Sequence, residues 1–384
     1  MLRRTSMLLL ATTATGALQQ LGSAPTQSAR PAAAGAAPSD LDEIRQLYDS
    51  ECSRAESRRE QAEAAQARLV AIGALRDTLW PLAPKLKPHD IDVITLDGTL
   101  TADALEKLLS HQACAVHVKG FIDAETCGEI ATRLGAGGEI FSNWNIHQAK
   151  DSSFTATEVD KVGVTSGEAL ESWSAFKEYL SPSSPTSLNS LLPGKLNPFT
   201  ALRSHLDAVH PEGCRLDRLG RWPLPAGTFR RMTTSKGLVH ADTATLLGRE
   251  AGEFSANLYI RTPKGKGALS VYPAQQYAAT SDKGSGGLTS PALLADLQSL
   301  SLKQSAGFDE KAQRGLQAAL PIKRTMDLAD GDLVLINTGR FHGVAPYGGD
   351  DAGEGDTDAP NDALRLSGQC WLSFRKGKAL RMWV

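Results

Sequence analysis

The amino-acid sequence predicts an α+β protein: an N-terminal helical support region followed by a double-stranded β-helix, the jelly-roll or cupin-like arrangement of two facing sheets. Three observations lead there. Apolar residues recur at helical spacing in the stretches 41–80, 102–109 and 123–134. From Gly227 onward, about eight short β-branched stretches alternate with turns, enough strands for a two-sheet jelly roll. The composition is globular, with 41% hydrophobic and 22% charged residues in 384 positions. That length suits one large domain or two small ones.

Residues 1–39 contain no Asp or Glu, and their charges are Arg3, Arg4 and Arg30. An acid-free leader rich in Ala, Ser and Thr, followed by a Pro/Ala linker, resembles an organelle transit peptide. Arg3-Arg4 ahead of the apolar 7–10 stretch keeps a twin-arginine export signal as the alternative. Residues 40–88 form the next segment. Leu41, Ile44, Leu47 and Tyr48 predict one long helix from 41 to about 80, able to pack on the domain or to pair with a partner helix. PLAPKLKP at 81–88 breaks it.

The domain proper then spans 89–384, its jelly-roll core about 227–384. VITLD predicts a strand, 102–109 a helix capped by Thr101, ACAVHVKGF a strand, and 123–134 a helix ended by Gly135, Gly137 and Gly138. Residues 140–200 read as irregular, and 197–209 as a helix. The strand series is GTFRRMTT, GLVHADT, EFSANLYIRT, ALSVYP, GDLVLINTG, FHGVAP, LRLSGQCWLSF and ALRMWV. Two insertions interrupt it: a helical one at 290–320 and an acidic, Gly-rich loop at 348–362.

Composition narrows the function classes. A formal net charge of −2 gives no basic footprint for nucleic acid. No run of 18 apolar residues predicts a membrane-spanning helix. The five cysteines, Cys52, Cys114, Cys127, Cys214 and Cys370, are scattered and form no CxxC. They read as neither a disulfide framework nor a structural zinc site, which fits a reducing compartment.

The chemistry concentrates in three stretches. In LVHADT, His240 and Asp242 stand at i and i+2, so on a strand both project from one face. An imidazole and a carboxylate together form a nitrogen/oxygen site suited to iron, manganese or zinc. In GDLVLINTGRFHGVAP, His342 follows a Gly331-Asp332 turn and a strand, and lies 102 residues after His240. It supplies the third candidate ligand. In LRLSGQCWLSF, Arg365, Ser367, Gln369 and Trp371 alternate against Leu366, Cys370, Leu372 and Phe374. An arginine beside a hydroxyl on an inward face is a carboxylate receptor. On EFSANLYIRT, Ser255, Asn257, Tyr259 and Arg261 share one face. Just upstream, Arg230 or Arg231 stands near the site, and alternation alone does not choose between them.

HxD, then GDLVLINTGRFHGVAP, then RLS, in this order, resembles the iron(II)/2-oxoglutarate-dependent oxygenase superfamily over about residues 92–384. KLLSHQACAVHVKGFIDAETCGEIATRL is similar to the support region of its prolyl-4-hydroxylase-like branch, and also to bacterial free-amino-acid hydroxylases and halogenases. The resemblance implies that His240, Asp242 and His342 bind Fe(II). It implies that Arg365 and Ser367 bind the distal carboxylate of 2-oxoglutarate, with Asn257 and Tyr259 as further cofactor or substrate contacts. Arg230, Arg231 and Trp371 are candidate substrate residues. O2 would be the oxidant, with ascorbate as a candidate reductant.

The implied reaction is hydroxylation, desaturation or cyclisation at an unactivated C–H bond of a small molecule, an amino acid or its derivative. Decarboxylation of 2-oxoglutarate to succinate accompanies it. A protein or peptidyl-prolyl substrate is the alternative. A non-redox jelly-roll binding module and a zinc or manganese cupin hydrolase are readings of other classes. Two departures from the family pattern stand out. The acidic insertion lengthens the interval from His342 to Arg365, leaving Arg340 and Arg375 as alternative clamps. Asp242 fills the position that halogenases leave empty for halide, which disfavours chlorination. Because 2-oxoglutarate and ferrous iron are available inside cells, an organelle, plastid before mitochondrion, is the expected location; export or a cytoplasmic location is the alternative.

Overall fold

A computed structural model describes residues 40–72, 91–135, 140–143, 159–181, 188–235, 237–240, 245–246, 249–250, 254–275, 317, 320, 322–338, 340–347 and 364–384. The leader, nearly all of the 290–320 insertion and the acidic 348–362 loop lie outside these residues, as does Asp242. The chain divides into two compact units, Met1–Asp42 and Glu43–Val384. In the first, Asp40 to Asp42 are described as the opening turn of a helix, with Leu41 exposed. The second unit, from Glu43 onward, carries the sheets and all the remaining described helices.

The helix α1 runs Asp40–Ile72. After it come β1 (Val93–Asp97), α2 (Ala102–Leu109), β2 (Ala115–Lys119) and α3 (Ala124–Gly135). Their ends are set by short polar side chains. Thr101 Oγ1 accepts from the Ala104 N–H at 3.3 Å, and Asp123 accepts from the Thr126 N–H at 2.8 Å. The 140–200 stretch, expected to be irregular, is partly regular. It holds β3 (Ser142–Asn143), β4 (Val159–Val162), α4 (Ser166–Ala169), α5 (Trp173–Tyr179) and α6 (Leu188–Leu191). Strand β4 was hidden because its inward residue is a lysine. Lys161 is buried and held by Glu168 at 2.9 Å, so the apolar alternation that marks a strand is broken.

Next come α7 (Pro198–Val209), capped by Asn197, and the short strands β5 (Cys214–Leu216), β6 (Arg218–Leu219) and β7 (Trp222–Pro223). The remaining strands are β8 (Thr228–Met232), β9 (Thr245–Leu246), β10 (Arg249–Glu250), β11 (Phe254–Arg261), β12 (Leu269–Gln275) and β13 (Arg324–Met326). They are followed by β14 (Leu333–Asn337), β15 (Arg340–Val344), β16 (Arg365–Ser373) and β17 (Leu380–Trp383). The expected strand over GLVHADT is not continuous in its described part. Only Ser235 and His240 make bridges, to Tyr347 and His342.

A large sheet is ordered β1-β2-β14-β11-β16-β8-β4-β3, with β17 joined to β16 and β5 to β17. A smaller sheet is ordered β13-β12-β15, and the two bridges lay the 235–240 stretch along the free side of β15. The alternation read in β11 and β16 governs how the layers meet. Phe254, Ala256, Leu258, Leu366, Cys370 and Leu372 face α2, α3 and α7 in one core. On the other face Tyr259, Val334 and Ile336 meet Leu269, Val271 and Met326 of the smaller sheet. Ser255, Asn257, Arg365, Ser367 and Gln369 belong to that second face by the period of two.

Two glycines hold elements in place, one at this corner and one beside the histidines. Gly331 has φ +90°, and a Cβ there would stand 2.1 Å from the Ile122 carbonyl oxygen. Beside it, the Asp332 carboxylate accepts from His117 Nε2 at 2.7 Å, from the Gly120 N–H at 3.0 Å and from the Ala329 N–H at 2.9 Å. This corner ties β2 to β14. Burial raises the pKa of Asp332, but the bonds from His117, Ala329 and Gly120 outweigh it and hold the carboxyl below its ordinary value.

Candidate metal and 2-oxoglutarate site

His342 comes from β15 and His240 from the 235–240 stretch beside it. Each donates its N–H to the other's carbonyl, at 2.9 Å from His240 and 2.7 Å from His342. Residues directly opposite on an antiparallel pair project to the same face. The imidazole centroids lie 4.5 Å apart at an interplanar angle of 52°. Gly343 makes this approach possible, because a Cβ there would stand 2.4 Å from the Leu238 carbonyl oxygen.

Both rings turn Nδ1 toward backbone carbonyls. His342 Nδ1 lies 2.9 Å from the Arg340 oxygen and His240 Nδ1 lies 3.4 Å from the Leu238 oxygen. A carbonyl can only accept, so each Nδ1 carries a proton, which leaves Nε2 as the nitrogen that a metal could take, the arrangement usual for metal-binding imidazoles. Among the described residues no group of three His, Cys, Asp or Glu is arranged to hold a metal ion. Asp242, the expected third ligand, lies outside them.

Arg365 and Ser367 stand at the start of β16, both buried. Ser367 is opposite Tyr259 on one side and Arg230 on the other. The Arg365 guanidinium sits 4.8 Å from the centre of the Tyr259 ring, with Nη1 3.5 Å from the Gly267 carbonyl oxygen. The Tyr347 ring lies against Gly267. Among the described residues, Arg365 Nε and Gln369 Oε1 are buried and make no hydrogen bond. Buried polar atoms without partners are costly, and a ligand supplying oxygen atoms would satisfy the donor among them. Burial raises the pKa of Tyr259 and of Tyr347, while the charge of Arg365 opposes the rise in both. Both phenols therefore stay protonated at neutral pH and keep an O–H to donate.

The other expected residues separate clearly. Arg231 is corrected: it lies on the opposite face of β8 from Ser367 and spends its charge on Asp160, with Nη2 at 2.6 Å and Nε at 3.1 Å. Its guanidinium also covers the Phe141 ring. Arg230 shares the Ser367 face. Arg375 is exposed, which removes it as a clamp. Arg340 is buried, donates to the Pro273 carbonyl and has its pKa lowered to about 10 by burial. It neighbours Cys114, and its Nε, like that of Arg365, is buried and makes no hydrogen bond among the described residues. Asn257 donates to Ser255 Oγ at 3.2 Å. The half-buried Trp371 ring lies 6.0 Å from that of Trp383 at a 32° tilt and packs with the α5 cluster. Sequence reasoning missed Tyr347 and Gly267, because neither carries a motif and only folding brings them to Arg365.

No protein-family model matches this chain, and no curated protein matches it. Solved structures do. The chain is similar to an N-substituted L-amino acid dioxygenase from Burkholderia ambifaria AMMD, at 15% identity and a TM-score of 0.43, over 74% of this chain and 91% of that one. It is similar to HygX from Streptomyces hygroscopicus, solved with nickel and 2-oxoglutarate bound, at 14% identity and a TM-score of 0.35, over 71% and 86%. It is also similar to a Pseudomonas putida prolyl-4-hydroxylase, at 14% identity and a TM-score of 0.32, over 72% and 100%.

Proposed function

We propose that this protein is an Fe(II)/2-oxoglutarate-dependent dioxygenase built on a double-stranded β-helix within residues 89–384. The observation that carries the reading is the bridge that sets His240 opposite His342 with both Nδ1 atoms committed to carbonyls. The strand order supports the fold assignment. β8, β16, β11 and β14 are neighbours in one sheet, and the 235–240 stretch, β15, β12 and β13 are neighbours in the other. The chain thus passes from one layer to the other between successive strands, except from β12 to β13, which pair within the smaller sheet, an order that fits a jelly roll.

His240, His342 and Asp242 would hold the iron, and Arg365 with Ser367 would hold the distal carboxylate of 2-oxoglutarate. When bound, this pair supplies oxidative decarboxylation to succinate and oxidation of an unactivated C–H bond by O2. The chain's own residues do the rest. The backbone carbonyls of Leu238 and Arg340 orient the two imidazoles. Tyr259 supports the guanidinium from one face, and the Tyr347 hydroxyl donates beside it. Val271, Val334 and Ile336 keep water from the interior. Arg230, on the Ser367 face, is the candidate for an anionic group of the substrate, which we take to be a small molecule of the amino-acid class. The leader 1–39 we read as a targeting segment, with a plastid as the compartment.

The test is anaerobic. Purified protein is loaded with Fe(II), 2-oxoglutarate is added and the visible spectrum is recorded for wild type, Asp242→Ala and Arg365→Ala. A weak charge-transfer band in wild type, lost or shifted in both variants, is the expected result. Iron left unbound by wild type would instead favour a non-redox binding module.

A further inference from the structure

A groove of about 610 Å3 elsewhere on the molecule is lined by Arg203 of α7, Arg215 of β5, Arg218 of β6 and Arg381 of β17. Asn189 and Thr200 add an amide and a hydroxyl, and among the described residues no Asp or Glu lines it. None of its lining residues belongs to the candidate metal and 2-oxoglutarate site. In a chain of net charge −2, four arginines around one groove are not a consequence of composition.

The backbone forces two of them together. Strands β5 and β17 pair in parallel with Arg215 beside Arg381 in register. Like charges on adjacent strand positions destabilise a sheet. Among the described residues none of the four guanidiniums forms an ion pair with a carboxylate. The two nearest aspartates in sequence serve the backbone. Asp207 accepts from the Cys214 N–H and Asp217 from the Arg218 N–H, each at 2.8 Å. The groove joins a smaller cavity through Arg203, Thr200 and Asn189, and that cavity continues along Val162, Phe199 and Leu224, with Glu178 also on its wall.

We propose that this groove binds a phosphate-bearing small molecule, with the phosphate between Arg215 and Arg381 and the remainder directed past Arg203 toward the adjoining cavity. A guanidinium fork matches two phosphate oxygens at once. A phosphate carries about −1.5 to −2 charge at neutral pH, enough to offset two adjacent guanidiniums, whereas a single carboxylate offsets one.

The experiment is calorimetric titration of the full chain with pyrophosphate at fixed ionic strength, with citrate as a second titrant. Saturable binding of pyrophosphate is expected, weakened at least tenfold in R215Q/R381Q and unchanged in R133Q, whose arginine lies on α3. Without ligand, the double variant should melt no lower than wild type, because a like-charge pair has been removed. Should it fail to fold by circular dichroism, R215K/R381K takes its place: it keeps the charges, loses the forks and should still weaken binding. Absence of saturable binding, equal affinity in the folded variant, or citrate binding as tightly as pyrophosphate would overturn the assignment.

Discussion

At the scale of single residues, Arg365 and Asp332 illustrate two uses of a buried charge. In the proposed function, Arg365 takes its acceptor from outside the chain. Its Nε makes no hydrogen bond among the described residues, an aromatic ring supports it and hydroxyls surround it. Lysine keeps the charge but loses the planar fork. We therefore expect Arg365→Lys to weaken 2-oxoglutarate binding by about tenfold or more, ~1.4 kcal/mol or above, in a charge-transfer titration. Asp332 is satisfied internally by three donors. Removing it leaves a buried imidazole and two N–H groups unpaired, so Asp332→Ala should cost roughly 3–5 kcal/mol at pH 7. Its folded pKa is depressed, so its stabilising contribution is complete above the unfolded value of about 4. That contribution is lost as pH falls through the folded value. In chemical denaturation, the gap between wild type and Asp332→Ala should therefore narrow below about pH 4.

At the scale of elements, the period of two carries most of the site. Alternation in β16 alone put Arg365, Ser367 and Gln369 on one face, and the burial of all three agrees. Alternation failed at β8, where Arg230 and Arg231 are adjacent and both long and charged. Only the cross-strand partners, Ser367 for one and Asp160 for the other, distinguish them. The 235–240 stretch is held to β15 by bridges rather than a full ladder, which makes close contact at Gly343 decisive. A methyl group there must displace the Leu238 carbonyl. We expect Gly343→Ala to cost about 1–3 kcal/mol and to weaken Fe(II) binding while leaving the far-ultraviolet circular dichroism near wild type. Unchanged iron affinity would show that the His240–His342 approach is not what builds the site.

At the scale of the whole molecule, the α1 residues just after Asp42 pack within the second unit. Ile44, Leu47 and Tyr48 join Trp173, Phe176 and Trp383 in one cluster, and the Tyr48 ring meets Phe176 edge-on at 5.2 Å. A fully buried side chain of this size is worth roughly 1.5–3 kcal/mol, which Ile44 approaches, and the half-buried Leu47 and Tyr48 contribute less. A chain beginning at residue 89 should accordingly melt lower and self-associate, while one beginning at residue 40 should retain the wild-type melting temperature; scanning calorimetry and light scattering decide it. The sequence by itself determined most of the strand series, the Thr101 cap and the inward faces of β11 and β16, and it marked the three stretches on which the proposed site rests. These depend on local periods and on residue types whose chemistry is intrinsic. Tertiary structure alone decided that His240 meets His342 across 102 residues, that Tyr259, Gly267 and Tyr347 surround Arg365, that Lys161 is an inward strand residue, and that four arginines share one groove. Each is a matter of register between strands distant in sequence, and register is set by which buried faces fit together rather than by any one segment's own pattern.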